Sequence, residues 1–481
     1  MTSRGTAHRP RLRRRVVAGL AASTVLAVGA VGFALDARTA SAGGAQAAVV
    51  AVGAPRAGGV PAPAPAAAAA QVPAGSSPSA PAPRSASASR SEPASSRARG
   101  PWVGTWATAV AVPQAGPPAQ GFTDTTLRQR MHVSVGGQVV RLRLTNVHGT
   151  RPLVVTATLA RPSTRAGAAA GDVDPGTLVP VTFAGSRQVA VPVGAELASD
   201  PVALAVPDGG DLLVSLHVPG PTGPATYHGA AHTTGFVADG DQTSAVSVAA
   251  FPRRTTSFWF LDGLDVRSRV GGSVVFLGDS ITDGSGSTTD ADHRWPDLLA
   301  DRARSLPTPQ RFGVLNAGIG GNRVLRDAAG PGQGPKALDR LNRDVLTQTG
   351  VRTVVLLEGI NDIQQDPSEH DPRAIIDGYR QVLERSHARG LRVVVGTLAP
   401  FEGWPRWTPE REQVRVAVNA WIRTSGEPDA VLDLDAVLRD PDRPTRLRAG
   451  YDSGDHLHPS DAGYAAMAAS VDLRLLRNPG R

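Results

Sequence analysis

Val274-Val275-Phe276-Leu277-Gly278-Asp279-Ser280-Ile281-Thr282-Asp283-Gly284 sets four apolar residues directly ahead of a glycine-bounded turn. Four such residues in a row read as a strand buried on both faces, and the turn places a serine at the point where strand gives way to helix. The same rhythm continues outward along the chain. Strands are predicted at 313–316, 353–357, 391–397 and 430–434. Between them Ile375, Ile376, Tyr379, Val382 and Leu383 fall on one helical stripe, as do Val414, Val418, Trp421 and Ile422. Five strands alternating with helices predict a parallel, three-layer α/β sheet, whose ligands gather at the carboxyl ends of the strands.

Upstream of residue 271 the pattern is different. Met131, Val133 and Val135 alternate with polar residues, Gly136-Gly137 supplies a two-residue turn, and Val140, Leu142 and Leu144 alternate again, which predicts a hairpin with one buried face. Short runs at 153–159, 178–183, 202–206, 212–218 and 258–266 recur at the spacing of an all-β sandwich.

The chain of 481 residues is too long for one average domain, and its 53 Gly and 40 Pro are too many for a uniformly packed one. Arg9, Arg11 and Arg13 to Arg15 precede an apolar run over 16–35, and Ala40-Ser41-Ala42 is a small-residue cleavage site. This is the pattern of a signal peptide over 1–42, and the same run would anchor the chain in a membrane if it stayed uncleaved. Residues 43–100 are almost entirely Ala, Pro, Ser and Gly, a linker without the apolar side chains that ordering requires. The predicted division is then 1–42 signal peptide, 43–100 linker, 101–270 β-sandwich domain and 271–481 catalytic domain. The expected location is secreted or attached to the cell envelope.

The formal charge of +8 is not a nucleic-acid signal, because residues 1–42 carry seven Arg and one Asp and 43–100 five Arg and one Glu, leaving 101–481 at −2. With no cysteine, disulfides, thiolate nucleophiles and cysteine-based metal sites are excluded. Any chemistry uses oxygen and nitrogen groups.

Four loops hold the candidate chemistry. In the first, Ser280 can be a nucleophile beside its own oxyanion donor, although Asp279 or Ser280 capping a helix is the plainer reading of the same residues. The second is Asn316-Ala317-Gly318-Ile319-Gly320-Gly321-Asn322, which alone is turn chemistry. The third, Glu358-Gly359-Ile360-Asn361-Asp362, offers an amide donor or a turn. The fourth is Tyr451-Asp452-Ser453-Gly454-Asp455-His456-Leu457-His458-Pro459. Asp455, three residues before His458, can accept from its ring and fix the tautomer of a general base. His456 reads as solvent-facing or structural. Asp452, Asp455, His456, His458 and Asp461 crowd together as metal ligands would, but no second ligand cluster accompanies them.

Taken in order, the four blocks resemble the GDSL or SGNH hydrolase family over about 272–477. The resemblance implies the flavodoxin-like SGNH hydrolase fold, with Ser280 as nucleophile, His458 as base and Asp455 as its orienting carboxylate. It also implies an oxyanion hole from the N–H groups of Ser280 and Gly321 and the Asn361 side chain, and neither cofactor nor metal. Family members often carry Ser where Gly320 stands, which implies a looser loop here. No G-x-S-x-G elbow occurs. Trp102-Val103-Gly104-Thr105-Trp106 and the β region are similar to secreted two-domain actinobacterial members related to xylan-associated acylhydrolases. The function implied is a serine esterase working through an acyl-enzyme on a small-molecule or polysaccharide ester. The alternatives are a lipase or arylesterase on small or lipid esters, or a non-catalytic glycan-binding wall protein. His228 and His232 read equally as core, turn or sugar-binding residues.

Overall fold

The apolar runs predicted as parallel strands form β1 (Ser273–Gly278), β2 (Gly313–Gly318), β3 (Val351–Leu357), β4 (Arg392–Gly396) and β5 (Ala430–Leu432). These come from a computed structural model that describes residues 100–327, 330 and 332–478. The predicted signal peptide, and the linker up to residue 99, lie outside the described residues.

The sheet order is 2-1-3-4-5 with every neighbouring pair parallel, so the order reverses beside β1 and opens a crevice at its carboxyl end. Because successive side chains point to opposite faces, each strand feeds two cores. Val275, Leu277, Leu315, Val354, Leu356, Val393 and Val395 meet one pair of helices, Pro372–His387 and Pro409–Thr424, through Ile375, Tyr379, Val382, Val414, Val418 and Ile422. Val274, Phe276, Val314, Val355, Leu357 and Val394 meet Trp295–Ala303 and Asp461–Ser470 on the other side, through Trp295, Leu299, Tyr464 and Met467. This is the three-layer sheet that the sequence predicts.

Beside a two-stranded sheet of Tyr227–His228 and Phe258–Trp259, residues 102–267 form two large antiparallel sheets around one shared core. The smaller runs in the order Trp102–Ala107, Leu261–Arg267, Val140–Thr145, Glu196–Ala198. The larger is centred on Thr125–His132, Asp211–Val218 and Leu153–Ala160. The alternation around Gly136-Gly137 predicts the correct buried face, since Met131, Val133, Val135, Val140, Leu142 and Leu144 are all buried.

The hairpin itself is corrected. Thr125–His132 pairs within the larger sheet and Val140–Thr145 within the smaller, and Gly136-Gly137 turns the chain from one sheet to the other. Gly137 exchanges N–H···O bonds with Val206, and a Cβ on Gly136 would stand 2.3 Å from the Val206 carbonyl oxygen. Alternation reports which face is buried, and that is the same for strands that pair as for strands that face each other across a core. The run 202–206 makes isolated bridges at Val202 and Val206 rather than a ladder; Pro201 and Pro207 flank it, and proline brings no N–H to a sheet. The run 258–266 breaks at Phe260, whose φ of 59° interrupts extended backbone.

The β region and the parallel sheet meet along β2. Trp102–Ala107 lies beside it, with the Gly104 N–H donating to Thr349 O at 2.9 Å and the Val314 N–H to Ser134 Oγ at 2.8 Å. A Cβ on Gly313 would stand 1.9 Å from the Gly104 oxygen, so the approach requires glycine there. The contact covers a sheet edge that would otherwise present unpaired backbone.

Phe276 is fully buried and meets Trp295 edge-on at 4.9 Å between ring centroids. Phe276→Ala is expected to cost about 3–5 kcal/mol, read as a lower urea midpoint at unchanged m value. A loss below about 1 kcal/mol would show that this layer closes over the gap.

Candidate active site

β1 ends at Gly278, where a Cβ would stand 2.2 Å from Thr282 Oγ1 and 2.6 Å from the Leu357 carbonyl oxygen. Only glycine lets the chain turn this tightly against β3. Asp279 then adopts extended backbone and caps the short helix α1 (Ser280–Asp283), its Oδ1 accepting from the Ile281 N–H at 2.9 Å. The capping reading of this loop therefore holds for Asp279, while Ser280, the first residue of the helix, turns to the fourth loop. Ser280 Oγ lies 2.8 Å from His458 Nε2, and His458 Nδ1 lies 2.5 Å from Asp455 Oδ2. The other oxygen of Asp455 accepts the N–H groups of Leu457 and His458, each at 2.9 Å. Partial burial raises the Asp455 carboxyl, but the His458 ring and these two amides outweigh it and hold the group well below its ordinary value. Asp279, wholly buried, is pushed up to about 7 by desolvation.

His456 is the residue the sequence sets aside. It is half-exposed, holds a φ of 69°, and its Nδ1 pairs with Asp452 Oδ2 at 2.6 Å, apart from Ser280. Asp461 is taken by His293 and the Thr288 N–H. Among the described residues the one group at metal-ligand spacing is His132, Asp211 and Asp292. There Arg130 already donates to both carboxylates, so a guanidinium stands beside the place a cation would take.

The second and third loops are joined by buried bonds. Asn361 Nδ2 donates to Asn322 O at 2.9 Å, and its Oδ1 accepts from Gln364 Nε2 at 2.7 Å, which leaves one Nδ2 hydrogen free to point elsewhere. Asp362 accepts the Val324 and Leu325 N–H groups at 2.7 and 3.0 Å. Gly321 has φ 76°, a Cβ there would meet Gln333 at 2.5 Å, and its carbonyl accepts from Gln365. The N–H groups of Ser280 and Gly321 have no acceptor among the described residues.

Several residues that matter gave no sequence signal. Arg340, buried, donates to Gly278 O, Ala317 O, Asn322 Oδ1, Asp344 and Glu358, and so ties the ends of three strands together. Trp404 stands edge-on to His458 at 6.2 Å, and its Nε1 donates to Gln364. Apart from Arg340 with Asp344, their contacts join residues 18 to 62 positions apart, which spacing cannot reveal.

Asp283, within the first loop but given no role there, accepts the Gly320 N–H at 3.0 Å and faces His228 Nε2 at 3.0 Å. Desolvation lowers the buried His228 ring but Asp283 more than offsets it, so the ring is raised. Asp283 is lowered, because His228 outweighs its own burial. A raised histidine contributes stability below about pH 6.5 and loses it as pH rises through the folded value, and a lowered aspartate contributes above about pH 4 and loses it as pH falls. Asp283→Asn is therefore expected to narrow its melting-temperature deficit against wild type as pH climbs above about 6.5. A deficit that stays constant across that range would mean that the pair is not ionic.

Residues 276–466 match the sequence model of the GDSL-like Lipase/Acylhydrolase family. No curated protein matches the chain. Solved structures similar to it include an aryl esterase from M. smegmatis (17% identity, TM-score 0.34, covering 42% of this chain and 99% of that one). An acetyl xylan esterase (20%, 0.32, 41% and 96%) and a member of the lipolytic G-D-S-L family from Veillonella parvula (18%, 0.32, 41% and 94%) are also similar. The strand order, the four loops and the family match agree, and residues 276–466 are a GDSL-like lipase/acylhydrolase domain, that of a carboxylic ester hydrolase.

Proposed function

We propose that the protein is an exported serine esterase that works through an acyl-enzyme. The observation that carries this is the unbroken line Ser280 Oγ, His458 Nε2, His458 Nδ1, Asp455 Oδ2 at 2.8 and 2.5 Å, built from loops 178 residues apart. His458 takes the Ser280 proton as Oγ attacks the ester carbonyl carbon. Negative charge then develops on the carbonyl oxygen, where the N–H groups of Ser280 and Gly321 and the free Asn361 Nδ2 hydrogen stabilise it. Collapse breaks the ester C–O bond, and His458 returns the proton to the departing alkoxide. Water, deprotonated by His458, attacks the acyl-enzyme and releases the acid. Asp455, kept ionised, holds the imidazole in the tautomer that can accept from Ser280.

For the substrate we favour an ester carried on a polysaccharide. The Asp455 side chain is 39% exposed, so the triad sits near the surface, where an ester on a bulky carrier can reach it. Half-buried Trp404 beside His458 offers a ring face of the kind that sugars stack on. Export is supported by the arginine-led apolar run and the Ala40-Ser41-Ala42 site.

Ser280→Ala is expected to abolish hydrolysis of nitrophenyl acetate and labelling by a fluorophosphonate, with the melting temperature retained. Labelling that persists would place the nucleophile elsewhere. Asp455→Asn should lower kcat by roughly 10⁴-fold while His456→Ala has a mild effect; the reverse order would exchange the roles of the two Asp–His pairs. Asn361→Ala should lower kcat by roughly 10²–10³ with little change in KM, and a normal kcat with a lower melting point would make it a structural residue alone.

A further inference from the structure

Gly320-Gly321 is the least constrained part of the proposed oxyanion hole. Two glycines in succession leave the peptide that carries the Gly321 N–H free to rotate away from the substrate oxygen. A Cβ on Gly320 would find nothing closer than Asp283 Oδ2 at 3.7 Å, so side-chain packing does not hold this backbone. Three hydrogen bonds hold it: the Asn322 N–H to Ile319 O at 3.1 Å closes the turn, Gln365 Nε2 donates to the Gly321 carbonyl at 3.0 Å, and on the Gly320 side the N–H donates to Asp283 Oδ2 at 3.0 Å. Asp283 is in turn fixed from outside the catalytic domain. His228, in the short strand Tyr227–His228 of the β region, presents Nε2 to Asp283 Oδ1 and to Ala230 O, both at 3.0 Å, and Nδ1 to Ala109 O at 2.7 Å. Both ring nitrogens face acceptors, so both carry hydrogen and the ring is an imidazolium.

The geometry points to His228 as a positioning residue of the ester-hydrolysing site: the β region, through His228 and Asp283, sets the orientation of the Gly321 N–H. This rests on the esterase reading above. The line of contacts runs from Ala109 O to His228, to Asp283, to the Gly320 N–H and so to Gly321, crossing from the β region to the oxyanion loop. The other groups around it do not replace the tie. His232 Nε2 is 4.0 Å from Asp283 Oδ1 and makes no hydrogen bond, and Arg294, which faces Asp283 electrostatically, is bonded to Asp297. Phe258 covers the ring with its centroid 6.3 Å away. Where a serine side chain at position 320 could fix the loop from within, this chain has glycine and a charged tie from another domain.

The test is steady-state hydrolysis of nitrophenyl acetate by the whole protein, with melting temperatures on the same preparations. His228→Ala is expected to lower kcat by roughly 10- to 100-fold at nearly unchanged KM, the effect of a donor displaced only where transition-state charge develops. Adding Gly320→Ala to that variant should recover part of the loss, because a Cβ fits there and narrows the backbone without help from Asp283. His228→Gln keeps a donor but not the charge and should show a smaller, measurable fall in kcat. Wild-type kcat in folded His228→Ala, or no recovery from Gly320→Ala, overturns the inference and leaves His228 a stabilising core residue. If His228→Ala does not fold, His228→Gln decides: wild-type kcat there overturns it, and a lowered kcat at constant KM supports it. A wild-type protein that neither turns over the ester nor takes a fluorophosphonate overturns the esterase reading itself, which separates the two failures.

Discussion

The catalytic end of the sheet depends on one buried cation. The Arg340 side chain has no exposed surface, and its guanidinium reaches Gly278 O at the end of β1, Ala317 O in β2 and Glu358 just past β3, with Asn322 and Asp344 completing the set. Taking a guanidinium out of water is expensive, and the cost is offset only when every donor is matched, as it is here. The three loops that begin at these strand ends therefore have fixed starting points. Ser280 is two residues beyond Gly278, Gly321 four beyond Ala317, and Asn361 three beyond Glu358, so small rotations at the strand ends would be magnified at the three groups.

Around that anchor the acidic residues have separated tasks. Glu358 is forced well above its ordinary value by burial, which the nearby Arg340 opposes. Asp362 is raised by burial too, although the Val324 and Leu325 amides oppose it. Asp455, at the surface end, is driven the other way by its hydrogen bonds. The carboxyl group that pairs with His458 is the one with solvent access and four donors, while those within the sheet serve as structural acceptors. Environment rather than residue type makes the distinction.

The β region is more than a neighbour of this arrangement. It covers the open edge of β2 through Trp102–Ala107, and its buried His228 meets the carboxylate that accepts the Gly320 N–H. Arg143 donates to Gln348, and Thr349 donates to Asp265, so charged and polar contacts cross the junction on both sides. An interface of this kind fixes one relative placement, because each buried polar group on one side would lose its partner if the other moved.

The residues of the proposed triad and the layered sheet were legible in the sequence because their patterns are local. A run such as Val274 to Leu277 declares a doubly buried strand, a stripe such as Ile375, Tyr379 and Val382 declares a helix, and Asp455 with His458 fits one short turn. The same locality explains the misreading at Gly136-Gly137, where alternation specified the buried face of two strands but could not say whether they paired or faced each other. Arg340, His228, Trp404 and Gln364 were silent because their meaning lies in partners that only the folded chain brings near. Asp283 was visible but without a task, since its carboxylate acquires one only when a histidine 55 residues upstream and a glycine 37 residues downstream arrive on either side of it. The sequence by itself determined which groups could do the chemistry, through periodicity and short-range spacing. The tertiary structure alone decided what holds those groups still, because a buried charge is tolerated only where distant segments converge to satisfy it.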